Sequence, residues 1–160
     1  MLPACIDRPL CRTTRSSAHL VGKLAVDLTM GVFMTNQFLA IDATGLPWEE
    51  HYSDAIGKAI FRKELFSDPD TGMLVRLVRY PAGVINPAHT HPCGHGMYVL
   101  EGTLVTHKGT FGAGSFVWFP EGEVMEHGAS ADADVVVVFI TNKPFRIDYI
   151  SRPGPQPAAP

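Results

Sequence analysis

The chain has 160 residues, a formal net charge of -3, 46% hydrophobic residues and 18% charged residues. That is enough chain for one domain with a real core, and too apolar a composition for a disordered polymer. No Lys/Arg cluster offers a nucleic-acid footprint, and no apolar run approaches the roughly 20 residues of a membrane-spanning helix, so neither partner is expected.

Residues 1–35 carry Cys5, Cys11, Arg8, Arg12 and Arg15 with little periodicity, and are expected to form a flexible N-terminal extension, with Met30 or Met34 as alternative starts. Asp27 interrupts the weakly apolar stretch 24–34 and no small-residue cleavage site follows, which argues against a secretory signal. Residues 36–150 read as the folded domain. Within it, 48–57 holds one short helical turn at most. Residues 59–66 form a strand ending at the turn 67–72, and 73–80 form a second, β-rich with charge on one side, stopped by Pro81 and Gly83. Residues 97–100 and 103–106 flank Glu101-Gly102 as a tight hairpin, and 114–119 form a strand closed by Pro120. The unbroken apolar run 135–140 suits a strand buried on both faces, and the alternating 145–150 an edge strand. Residues 151–160, rich in Pro, read as a disordered tail. Many short strands and no helical stripe predict an all-β fold, a single antiparallel barrel or sandwich.

The segment His89-Thr90-His91-Pro92-Cys93-Gly94-His95, with His127 downstream, carries the chemistry. Side chains two apart on a strand share a face, so His89 and His91 can aim at one point. After the Pro92-Cys93-Gly94 turn, His95 can rejoin from the next strand. Neutral imidazole is the commonest protein ligand for first-row transition metals.

Gly83, five residues, His89-Thr90-His91, three residues, His95 and then Gly102 resembles the first motif of the cupins; Gly114, five residues, Pro120-Glu121-Gly122 and His127 resembles the second. The resemblance implies a single-domain jelly-roll β-barrel holding a divalent metal, with His89, His91 and His127 as ligands. His95 stands where the family usually has a glutamate, so the site resembles the four-histidine subset. The gap from Gly122 to His127 is longer than the family's, which leaves the register of His127 open. One divalent transition metal per chain is implied, Fe(II) or Mn(II) by family habit, with Zn, Ni and Cu compatible with imidazole. Four neutral ligands would leave the metal its full positive charge, which favours bound enolates and acidifies bound water.

Glu126, and beside it Glu123, are the candidates for a general base. Cys93 reads as an oxidation-sensitive bystander pointing away from the histidines, and His107 as a strand-surface residue. His51 has only its proximity to Trp48 in its favour, and Met97 shares the parity of His95. Three function classes follow from the resemblance. The first is a dioxygenase acting with O2 on a small enolisable carbonyl compound, a diketone or an aromatic ketone. The second is a non-redox lyase or isomerase, and the third a non-catalytic sensory module like the zinc-binding cupin domain of an anti-sigma factor. A homodimer is expected, as is common in resembling proteins. With Cys5, Cys11 and Cys93 forming neither a disulfide framework nor a Cys-x-x-Cys pair, a reducing, cytoplasmic setting is expected.

Overall fold

The computed structural model describes residues 38–150. The extensions expected over 1–35 and 151–160 lie outside the described residues. The chain forms β1 (Glu49–Ser53), β2 (Lys58–Ser67), β3 (Leu74–Tyr80), β4 (Ile85–Thr90), β5 (His95–Glu101), β6 (Thr103–Thr106), β7 (Gly109–Gly112), β8 (Phe116–Phe119), β9 (Met125–Ala129), β10 (Val135–Thr141) and β11 (Asp148–Tyr149). All pair antiparallel, in a six-stranded sheet β1-β2-β3-β10-β5-β8 facing a five-stranded sheet β11-β4-β9-β6-β7. This is a jelly-roll β-barrel. No helix among the described residues is long and apolar enough to cross a membrane.

Period-two alternation decides what each strand buries. On β10 the inward Val135, Val137 and Phe139 pair with Tyr80, Val78 and Arg76 of β3, and Val137 and Phe139 also with Val99 and Met97 of β5. Across the barrel, Leu104 and Met125 are fully buried from the other sheet, closing one continuous core. The run 135–140 is central, as its continuous apolarity suggested, whereas 145–150 yields only the two-residue edge strand β11 beside β4.

Two local expectations give way to longer-range pairing. Among the described residues the one short helical turn lies at Ala43–Gly45, where the Asp42 side chain accepts from the Thr44 amide at 3.0 Å; in the stretch 48–57, expected to hold one helical turn at most, residues 49–53 pair with β2 instead. The tight hairpin expected at Glu101-Gly102 is not one. β5 belongs to the six-stranded sheet and β6 to the other, so the chain crosses between sheets at Gly102 (φ 74°). A Cβ there would overlap the Asp134 carbonyl oxygen, so glycine makes the crossing possible. The true hairpin is β6–β7, turning at His107-Lys108.

Gly128 fixes the spacing on which the centre depends. A Cβ at this buried position of β9 would overlap the Val84 carbonyl oxygen and lie 2.7 Å from Ile85 Cα, both backbone atoms of the neighbouring chain segment. Because backbone yields less readily than a side-chain tip, Gly128→Ala is expected to lower stability by about 2–3 kcal/mol, with Tm dropping by about 10 °C or more, read by thermal melting. A Tm unchanged to within a degree or two would mean that β9 and β4 are not packed this closely.

Candidate metal centre

The histidines come from three strands and one strand end. β4 is bulged between Asn86 and His89, at Pro87-Ala88. The extra residue resets the alternation, so Asn86, His89 and His91 all point into the barrel although Asn86 and His89 are three apart. His95 opens β5, opposite Thr141 on one side and Phe119 on the other. His127 lies on β9 opposite Asn86, and that pairing fixes its register across the long gap after Gly122. All four histidines are buried.

One donor atom from each of His89, His91 and His127 lies within 4.8 Å of the others, close enough for one ion. His95 joins the same cluster, with its ring 4.7 Å from that of His91 and 6.1 Å from that of His127, but its nitrogens fall outside the closest group of three. It stacks on Phe119 at 4.8 Å with an interplanar angle of 12°.

Hydrogen bonds orient two of the rings. His89 Nδ1 donates to the Pro87 carbonyl at 2.6 Å, and His91 Nδ1 to the Arg146 carbonyl at 2.6 Å. A ring whose Nδ1 carries the proton presents an Nε2 lone pair, the form a metal needs. Asn86 supports this tautomer: its Nδ2 approaches His89 Nε2 at 3.4 Å, while its Oδ1 accepts from the Tyr149 hydroxyl at 3.0 Å. His95 and His127 differ, because neither nitrogen of either ring has a hydrogen-bond partner. An orphaned buried polar group costs about 1–3 kcal/mol. Four such atoms beside two pre-oriented lone pairs fit a divalent transition metal, which takes imidazole nitrogen readily.

Burial keeps the set neutral. Loss of hydration is the first cause in each ring: it lowers His91 to about 4 and His95 to about 3, and moves His127 well below, and His89 below, the ordinary imidazole value. Neighbouring groups act in the same direction, because a proton on one ring disfavours a second nearby: His91 and His89 act on His95, and His89 and Arg76 on His91.

A cavity of about 40 Å³ reaches the cluster, lined by His91 and His127 together with Tyr80, Asn86, Phe139 and Phe145. Arg62, Arg76 and His51 line it too, so His51 does belong to the mouth of the site. Glu126 does not. It sits between the inward Met125 and His127 on β9, so alternation turns it to the opposite face, and it is absent from the cavity wall. A general base must reach its proton, and Glu126, off the cavity wall, is felt here through the upward pull of its charge on the His89 pKa. Glu123 is held in an ion pair with Lys108 and lies 3.6 Å from His107, which occupies the β6–β7 turn rather than a strand. Cys93 is buried, and Met97 is core rather than cavity wall. Arg62, Arg76 and Asn86 were missed in the sequence; Arg76 shares the parity of Val78 and Tyr80, which the structure buries, and that alternation was the available signal.

The model of the ChrR cupin-like domain matches residues 36–146. The chain belongs to this cupin family. Among curated proteins nothing matches. Among solved structures, a cupin-like protein from Thermotoga maritima is similar at 22% identity, with 69% of this chain and 90% of that chain covered and a TM-score of 0.60. The polyketide cyclase RemF from Streptomyces resistomycificus is similar at 16% identity, over 74% and 89% of the two chains, with a TM-score of 0.60. A candidate acetylacetone dioxygenase from Methylibium petroleiphilum is similar at 15% identity, over 81% and 91%, with a TM-score of 0.64. At these identities the likeness establishes the shared barrel. The cupin's chemistry has to be read from its own site.

Proposed function

We propose that this cupin is a metal-dependent oxygenase of the dioxygenase type, acting on a small enolisable carbonyl compound. The observation that carries the reading is the cavity, which reaches His91 and His127 from outside the cluster. A structural metal site is closed by its protein ligands, whereas a catalytic one keeps access for a small molecule. When bound, a redox-active divalent metal would supply Lewis acidity toward an enolate oxygen and electron transfer to O2. His89, His91 and His127 would hold it, with His95 as the fourth donor.

The chain's own residues do the rest. Phe139 and Phe145 wall the cavity with apolar faces and exclude bulk water. Burial raises the Tyr80 phenol above its ordinary pKa, so it stays a neutral donor at the cavity wall. The cavity is small: at roughly 10–15 Å³ per water, its 40 Å³ admits about three waters, so the reacting part of the substrate has only a few heavy atoms. Overall such a reaction cleaves a C–C bond with O2 as oxidant, one oxygen atom ending in each carbonyl or carboxyl product.

The test is metal content and oxygen uptake on untagged protein offered β-diketones, 3-oxo acids and aromatic ketones. Stoichiometric Fe or Mn with substrate-dependent O2 consumption is expected. The membership of a ChrR cupin-like family supports a second reading, a metal-binding sensory module. Tightly held zinc, with no O2 uptake for any metal restored to the site, would favour that module and sink the oxygenase.

A further inference from the structure

The cavity beside the histidines carries charge that metal binding does not explain. Arg62 on β2 and Arg76 on β3 both line it, and no Asp or Glu does. Arg76 is 5% exposed, with its guanidinium 4.6 Å from the Phe145 ring centroid and 5.1 Å from that of Phe139. Its Nη1 donates to Glu64 at 3.2 Å, but its Nε is buried without a partner. Arg62, half-buried, has no carboxylate within 4.0 Å among the described residues. Burial and the neighbouring Arg76 press its pKa below the ordinary arginine value, though a guanidinium stays charged at any physiological pH.

The charge count is therefore unbalanced. Two guanidiniums line the cavity; the acids beside them, Glu64 with its side chain 48% exposed and the exposed cross-strand neighbour of Arg62, Glu49, stand outside that lining, and four buried histidines remain neutral. A divalent metal would add further positive charge to the same space. Holding an unpaired guanidinium in a partly desolvated wall is costly unless something supplies the anion. The planar fork of arginine matches a carboxylate bidentately.

We propose that the substrate of this cavity is a small oxo acid, whose carboxylate pairs with Arg62 while its carbonyl end lies toward His91 and His127. The proposal rests on the metal-dependent reading of the histidine cluster and narrows its substrate from enolisable carbonyls in general to anionic ones. Arg62 acts as a specificity-determining residue, and Arg76, anchored by Glu64, reinforces the positive potential behind it.

Acetoacetate and acetylacetone form a matched pair for the test, differing by a carboxylate oxygen in place of a methyl group. Calorimetric titration of zinc-loaded protein avoids turnover, zinc being redox-inert. Acetoacetate is expected to bind roughly 10- to 100-fold more tightly than acetylacetone, the range of one charge-assisted pair. Arg62→Leu should abolish that preference while zinc stoichiometry stays at the wild-type level. Arg62→Lys, which keeps charge but not the fork, should retain part of it. Should the Leu variant not fold, the wild-type comparison and the Lys variant still decide the matter. Equal affinities in the wild type, or a preference that survives in Arg62→Leu, would overturn the assignment. Loss of the oxygenase reading, with no O2 uptake under any metal, would leave the binding preference standing. Oxygen uptake on neutral diketones with no preference for acetoacetate would remove the oxo-acid assignment alone.

Discussion

His127→Ala is expected to weaken metal binding by more than about 100-fold, beyond the roughly 10- to 100-fold cost of losing a supporting partner alone. His127 is the donor brought in by β9; the other two members of the closest group, His89 and His91, come from the β4 segment. Without it the remaining pair lies on one side of the site, and no Asp or Glu among the described residues lines the cavity to replace it. The truncation also removes two unpartnered buried nitrogens, so the metal-free variant should lose less stability than a large-to-small core change ordinarily costs. Metal content by elemental mass spectrometry and thermal melting of the stripped protein separate the two effects. His95→Ala should loosen the metal by only about 10-fold, because the closest group of three survives it. Full metal occupancy in His127→Ala would end the case for this centre, and an unchanged affinity in His95→Ala would reduce the ligand set to three.

What could be read in the sequence was whatever alternation and glycine placement encode locally. The parity of His89 and His91 and the buried run 135–140 lie within short windows, while the jelly-roll class was implied by the likeness of the two histidine motifs to those of the cupins; the structure has all three. The misreadings share a cause, which is pairing at long range. Nothing local distinguishes a hairpin at Gly102 from a crossing between sheets, because the distinction depends on Asp134, far along the chain. The charged side expected for 73–80 dissolves for the same reason: Arg76 and Arg79 are three apart, so one enters the cavity and the other stacks over Trp48 and Phe61 on the outer face. Glu126 seemed close to the metal because it is next to His127 in sequence, yet adjacency on a strand is what separates them. The bulge at Pro87-Ala88 could not be anticipated either, and it alone lets Asn86 and His89 share the interior.

Stripped of metal, the protein is expected to lose stability steadily as pH falls from about 6.5 toward 5. In the folded chain His91 takes a proton only near about 4 and His95 near about 3, while His89 and His127 are also lowered, all chiefly by burial. Once unfolded, each titrates near the ordinary value of about 6.5. Through this window the unfolded state binds more protons, so stability rises with pH and falls on acidification until the folded imidazoles themselves titrate. At about 1.4 kcal/mol per displaced unit the cluster removes on the order of several kcal/mol, a large share of a typical domain's stability. His51 contributes with the same sign. Hydrogen bonds hold the carboxylates Asp42, Asp68, Glu123 and Asp148 below their ordinary values, so they protonate at lower pH than the imidazoles do in the unfolded chain. Thermal melts of chelator-treated protein at about pH 7.5 and 5 measure the slope directly. A metal-loaded sample should hold its Tm further into acid, because ligation requires the neutral rings and opposes their protonation. A flat stripped-protein profile would mean that water, not a dry barrel, surrounds the histidines, and the metal would then have no dehydrated pocket in which to hold a substrate.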